Sequence, residues 1–311
     1  MDKRKLGHSG LIVSAVGFGA WQLGNDRDWS GHTKAEAIAL VHAAVEQGVT
    51  FFDTAPNYGS GNSERLLGEA LQGKRDQVVI SSKCGHQVDG VQSFEPEQLV
   101  HSVEGSLRRL KTDHLDSLLL HNPPFDSLNG YSPQFEVLKD LKKQGKIKAY
   151  GASVDSGREI DRIVDETASE VIEIMFNIFH QEPLLSMQRA EEQGVGLIAK
   201  VPLDSGWLSG KYHKNSSFTG IRSRWSQDII ERRSMLVEEV RHIIGPDTSM
   251  AEAAMHFILA YPCVSTVIPG VKSIQQLQEN LSTADKKISE GVKTRLENLW
   301  KREIKDQPLP W

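Results

Sequence analysis

The feature that most constrains this 311-residue chain is an alternation that runs almost from end to end. Short β-rich runs, "SAVGFG", "VTFFDT", "QVVISSK", "HLDSLLLH", "KAYGAS", "VIEIMFN", "GLIAKVP" and "STVIPG", are separated by amphipathic stretches of helical spacing. Those stretches include Thr33–Gln47, Ser63–Gln72, Pro96–Leu110, Pro133–Gln144, Pro183–Gln193 and Ser249–Ala260, several opening on a capping residue or a first-turn proline. Strands alternating with helices in this way predict parallel βα units. Eight of them predict an α/β fold of the closed (β/α)8 TIM barrel type. A hairpin around "KLGHSGLIV" precedes the repeat, and helices near Asp228–Ile244 and Ser289–Glu303 are additional to it. An open dinucleotide-binding sheet would need G-x-G-x-x-G after its first strand, and "GFGAWQLG" supplies only the first two glycines. With no linker or low-complexity tract, residues 1–311 read as a single barrel domain.

Composition narrows the function classes. A net charge of −5 without a dominant basic stretch excludes a nucleic-acid footprint. No run approaches the roughly 20 apolar residues of a membrane span, and the N-terminus does not read as a signal peptide. The two cysteines, Cys84 and Cys263, form no CxxC pair, which predicts a cytoplasmic protein without a zinc site.

Catalytic groups of such barrels gather at the C-terminal ends of the strands. Three consecutive strands carry ionisable residues there: Asp53, with Tyr58 just beyond it in "TFFDTAPNYG", then Lys83 in "VVISSKCG" and His121 in "DSLLLHNPP". Each alone has a structural explanation as a turn former, a solvated cation or a satisfied imidazole. Together they suit one pocket. A phenol of ordinary pKa about 10 gains acidity beside an ammonium. Asp53 would hold Lys83 charged, and His121 would bond a substrate oxygen. This is a proton donor set against a carbonyl, without a nucleophile or a metal shell, so a hydride must come from a cofactor.

At these residues the chain resembles the aldo-keto reductase superfamily, through "FFDTAPNYGSGNSERLLGEAL", "LRRLKTDHLDSLLLHNP", "VPLDSGWLSGKY" and "VIPGVKSIQQLQENL". The resemblance implies catalytic roles for Asp53, Tyr58, Lys83 and His121, and reduction of aldehydes or ketones with a nicotinamide cofactor. It places Ala20, Trp21, Ser153 and Asn177 around the nicotinamide cleft. It places Pro202, Leu203, Ser205, Gly206 and Leu208 at the pyrophosphate, and Gly270, Lys272, Gln276 and Asn280 at the adenosine phosphate. Lys272 predicts NADPH as the preferred cofactor, with NAD also possible. Three positions depart from the family pattern: Val154 stands where an asparagine is usual, Glu173 where a glutamine is usual, and Lys200 where many relatives place an aromatic ring. A Lys200 ammonium beside the nicotinamide would favour the reduced cofactor.

Three functions compete: a carbonyl reductase, a sugar or alcohol dehydrogenase running the same chemistry oxidatively, and a nucleotide-sensing regulatory subunit. The complete tetrad and the short N-terminus weigh against the third. The partner expected is therefore a small carbonyl or alcohol. Loops carrying Trp29, Phe125, Tyr131, Phe218 and Trp225, with Trp311 in the tail, either line the substrate site or anchor the loops themselves.

Overall fold

The computed structural model describes residues 1–25, 33–282 and 288–310. Two short strands, β1 (Lys3–Lys5) and β2 (Ile12–Ser14), pair antiparallel with Arg4 opposite Val13. Eight parallel strands follow: β3 (Phe18–Gly19), β4 (Phe51–Asp53), β5 (Val79–Cys84), β6 (Leu115–His121), β7 (Ile147–Val154), β8 (Val171–Met175), β9 (Gly196–Lys200) and β10 (Val264–Val267). Each pairs with its predecessor in sequence order. Parallel bridges Val16–Val267 and Gly19–Gly270 join the first strand to the last. The Gly17 N–H donates to the Val267 carbonyl across that seam at 2.8 Å. This is the (β/α)8 barrel that the alternation predicts.

The helices are α1 (Lys34–Glu46), α2 (Asn62–Ala70), α3 (Pro96–Leu110), α4 (Pro133–Lys143), α5 (Gly157–Glu166), α6 (Leu184–Glu192), α7 (Gln227–Ile244), α8 (Met250–Leu259), α9 (Ile274–Leu281) and α10 (Glu290–Glu303). Thr33 opens α1 through a reciprocal capping box with Glu36, and proline sits in the first turn of α3 and α4. Helix α5 is absent from the sequence expectation, yet Ser156 and Glu159 form a second capping box at its start. Among the described residues, no helix is long and apolar enough to cross a membrane.

The lower half of the barrel interior is apolar. Leu6 and Val13 rise from the hairpin to meet Phe51, Val79, Leu119, Ala149, Val171, Ile198 and Ile268. The Arg4 guanidinium fastens the hairpin by donating to the Val264 carbonyl at 2.7 Å and the Leu259 carbonyl at 3.2 Å. Side chains of a strand return to the same face every second residue. One step above this floor, Phe51 gives way to Asp53, Leu119 to His121, Val171 to Glu173 and Ile198 to Lys200. Two steps above it, β5 and β7 present Lys83 and Ser153. The floor is therefore dry and the mouth is charged.

Gly151, below Ser153 on β7, has no room for a side chain: a Cβ there would lie 1.7 Å from the Val171 carbonyl oxygen. Gly151→Ala must push β7 and β8 apart, and is expected to destabilise the barrel by about 1–3 kcal/mol or more, the usual range for overpacking. Gly291→Ala, at a helical position with nothing within 4 Å of the added carbon, serves as the control and should be neutral or mildly stabilising. Urea denaturation of the two variants checks this; equal midpoints would contradict the packing.

Candidate active site

Lys83 and Asp53 are almost completely buried, 1% and 2% exposed. The Lys83 ammonium donates to both Asp53 oxygens, at 2.6 Å and 2.7 Å, and to the Thr54 carbonyl at 3.3 Å. It reaches the Tyr58 hydroxyl at 3.5 Å. Glu173, also buried, approaches from β8 with its Oε2 3.2 Å from the same nitrogen. The His121 ring stands edge-on to Tyr58, centroids 6.1 Å apart, and stacks on His86 at 4.4 Å. The Trp21 ring lies 6.2 Å from that of Tyr58, centroid to centroid. The four residues predicted from three strand ends thus meet in one place.

Tyr58 gets there through an unusual loop. Gly59, Ser60 and Gly61 have φ of 55°, 52° and 81°, three left-handed residues in a row, of which only the two glycines are at ease. Hydrogen bonds hold the strained turn down. Asn62 donates to the Gly24 carbonyl at 3.1 Å, and Ser63 bonds the Ala20 carbonyl at 2.8 Å and Thr54 at 2.9 Å.

The electrostatics differ from the expectation of an acidified phenol. Burial pushes the Tyr58 phenol above its ordinary range; Lys83 pulls it down, but Asp53 and Glu173 push upward again. Burial and the neighbouring Glu173 likewise push the Asp53 carboxyl well up, against the pull of Lys83. Burial would also raise Glu173, but Lys83 and Lys200 outweigh it and hold that carboxyl below the usual range. Burial works against the Lys83 ammonium, and the two carboxyls overcome it and raise its affinity for the proton. Burial, with Lys83 and His86 beside it, keeps His121 neutral well below the ordinary histidine pKa.

The residues expected at the nicotinamide form a connected chain. The Ser153 hydroxyl donates to Glu173 Oε1 at 3.0 Å, and the Lys200 ammonium donates to Ser153 Oγ at 2.9 Å. Lys200 also donates to Asn122 Oδ1 at 3.0 Å and pairs with Asp155 Oδ1 at 3.0 Å, so its charge is countered rather than bare. Asn177 is buried, its amide donating to the Val201 carbonyl at 3.0 Å and its oxygen accepting from the Phe179 N–H at 2.8 Å. Its side chain braces the loop that follows β9.

That loop holds Pro202, Leu203, Ser205, Gly206 and Leu208, and its backbone is left-handed at Val201, Asp204, Ser205 and Gly206. Leu208 is fully buried, which leaves backbone rather than side chain to face a ligand there. Asp204 is anchored from beneath by Arg233, Nε to Oδ2 at 3.0 Å, a buried ion pair. Two cations missed in the sequence reading sit on this loop. Arg222 donates to the Ser205 carbonyl at 3.1 Å, and the Lys211 ammonium lies 3.5 Å from where a Cβ on Gly206 would be. At the end of β10, the Gln22 side chain covers Gly270. Ser273 caps α9 by accepting from the Gln276 N–H at 3.1 Å, and exposed Lys272 donates its N–H to Gln276 Oε1 at 3.1 Å. Asn280 is buried on the same helix, as is Ala20 beneath Trp21.

The Aldo/keto reductase family matches residues 15–301 of this sequence. The chain belongs to that family. Aldo/keto reductases are oxidoreductases that act on small molecules with nicotinamide cofactors. An L-galactose dehydrogenase of Arabidopsis thaliana is 30% identical over 304 residues, covering 94% of this chain and 91% of that protein. An NADH-specific methylglyoxal reductase of Escherichia coli is 27% identical over 327 residues, covering 96% and 98%. The holo form of aldo-keto reductase AKR11C1 from Bacillus halodurans superposes with a TM-score of 0.84 at 25% identity, covering 100% of both chains.

Within the family frame, the loop aromatics mostly serve the loops. Phe218 and Trp225 join Trp207 and Tyr212 in a ring cluster with centroids 4.9–5.8 Å apart, and Phe125 faces the Arg158 guanidinium at 4.1 Å. Tyr131 is 92% exposed; Trp29 and Trp311 lie outside the described residues. Trp21 and His86 are the rings that stand beside the tetrad.

A neutral, buried His121 has a consequence for stability. Its folded pKa lies below its unfolded value, so as pH falls below about 6.5 the unfolded chain takes up a proton that the folded chain refuses. The contribution of His121 to stability is therefore expected to fall from pH 7.5 to 5.5. His121→Asn should flatten that slope by up to about 1.4 kcal/mol per pH unit. Denaturant titrations across this range test the sign; an unchanged slope would mean that His121 takes up its proton freely in the fold.

Proposed function

We propose that the chain is a carbonyl reductase that converts aldehydes or small ketones to alcohols, with Tyr58 as general acid. The observation that carries this reading is the Lys83 ammonium, clasped by Asp53 at 2.6 Å and 3.5 Å from the Tyr58 hydroxyl. A nicotinamide cofactor fits the residues present. The loop from Val201 to Gly206 brings left-handed backbone, Lys211 and Arg222 together, a donor set suited to a pyrophosphate. When bound, the reduced nicotinamide supplies a hydride to the carbonyl carbon. Tyr58 gives its proton to the carbonyl oxygen, and Lys83 steadies the phenolate left behind. Neutral His121 orients that oxygen, and Trp21 walls the site. Ser153 and Lys200 offer polar groups to the carboxamide side, and Asn177 holds the loop above them.

The same tyrosine in phenolate form serves the reverse reaction, the direction that the name of the Arabidopsis relative describes. A phenol pushed above its ordinary range stays in the donor form at neutral pH, the form that reduction uses. Two free, buried cysteines suit a cytoplasmic setting.

Tyr58→Phe removes the proton and little volume, so turnover of 4-nitrobenzaldehyde with NADPH should fall by about 10²-fold or more. Nucleotide affinity should stay near that of the parent. Near-normal turnover with chemistry still rate-limiting would remove Tyr58 from the mechanism.

For the cofactor, we propose NADPH over NADH by a modest margin, resting on Lys272 at the start of α9 as a partner for the 2′-phosphate. Glu279, the first acid after Lys272 in the sequence, accepts instead from Gln275 at 2.9 Å. Lys272→Ala should weaken NADPH and leave NADH almost untouched, and added salt should erode the difference because Lys272 is exposed. Fluorescence titration of both cofactors decides it; tighter NADH binding by the parent protein would refute the assignment.

A further inference from the structure

Lys83 has a second carboxylate that the family pattern does not call for. Its ammonium lies 2.6 Å and 2.7 Å from the Asp53 oxygens and 3.2 Å from Glu173 Oε2. All three side chains are buried, none more than 3% exposed. Two full negative charges around one ammonium would leave a net charge buried away from water, a costly arrangement unless something neutralises it. Among the described residues no other cation pairs with either carboxyl directly. Lys200 touches Glu173 only through the Ser153 hydroxyl and is itself paired with Asp155. His121 and His86, which face the site from β6 and from the segment after β5, are both held neutral by burial. Tyr58 brings a phenol, which adds no positive charge. One proton shared by the two carboxyls removes the imbalance, and Glu173 Oε2, buried without a hydrogen-bond partner beside the same ammonium, gives it a place.

We propose that Glu173 is a positioning residue: a second counter-ion for Lys83 that shares one proton with Asp53, so that the ammonium stays compensated through either carboxyl. This rests on the roles given above to Lys83 and Tyr58 for its bearing on catalysis, but not for its chemistry, which belongs to the resting protein. Glu173 also links the tetrad to the nicotinamide side, since Ser153 and Lys200 continue the chain from its other oxygen.

The shared proton has a signature. Between about pH 6 and 8 both carboxyls are ionised in the unfolded chain, while the folded pair retains one proton. The folded state then binds more protons, and this pair makes stability fall as pH rises. Asp53→Asn and Glu173→Gln each dissolve the pair and leave a single carboxylate to ionise against Lys83. Each variant should therefore show a slope of stability against pH more positive than the parent's by about one proton over that window. Loss of packing alone would shift the curve without changing its slope.

The test is denaturant unfolding of the parent, both single variants and the double variant from pH 6 to 8, with turnover measured alongside. The slope change should appear in each single variant. The double variant, left with a buried ammonium and no counter-ion, should lose at least about tenfold more turnover than the product of the two single losses, as expected for groups acting on one partner. Slopes equal to the parent's in both single variants would overturn the proposal, as would multiplicative losses in a folded double variant. If the double variant does not fold, the slopes of the single variants decide. If the parent turns over no carbonyl substrate, the reductase reading fails while the slopes still judge Glu173.

Discussion

Much of this molecule is arranged around one buried ammonium. Lys83 sits inside a barrel, out of reach of bulk water, where an uncompensated cation would be expelled or stripped of its proton. Keeping it charged requires carboxyls from β4 and β8, a backbone carbonyl at Thr54, and a dry floor beneath. Each of those depends on register. Asp53 lies opposite Ser81, one inward step below Lys83, so the long lysine side chain can turn onto it. Slipping any strand by one residue would send the charged residue outward into the helices. The apolar layer of Phe51, Val79, Leu119 and Val171 fixes that register by making the slip expensive.

Tyr58 shows a different kind of expense. The left-handed run from Gly59 to Gly61 is conformational strain, tolerated because Asn62 and Ser63 fasten the following turn to the first strand's end. Strand β3 is only two residues long, yet it anchors this loop, Trp21 and the barrel seam together.

The eight strands were legible because buried parallel strands write themselves as short apolar runs between turn residues. Their lengths were less so: of "VTFFDT" only Phe51–Asp53 is strand, since ladder pairing stops where the loop to Tyr58 begins. The tetrad was legible because ionisable residues at strand ends break the apolar pattern. Glu173 left the same trace, an acid inside "VIEIM", but was read only as a departure from a family position; alternation along β8 places it in the ring with Lys83. Lys211 and Arg222 left no such trace, because lysines and arginines in polar loops are ordinary and only the folded path brings them onto the Ser205–Gly206 turn. The loop aromatics left two roles open in sequence, pocket lining or anchoring, and Phe218 and Trp225 take the second as part of a small core of their own.

The hairpin of β1 and β2 has a further effect. By sealing one end of the barrel with Leu6 and Val13, it makes the interior a cup with a single rim. A proton bound for Tyr58 and a molecule bound for the same phenol have to pass the same opening, so each obstructs the other. On the role proposed for Tyr58, recharging the donor is thereby tied to the departure of whatever has received its proton, so the shape of the vessel bears on the order of events.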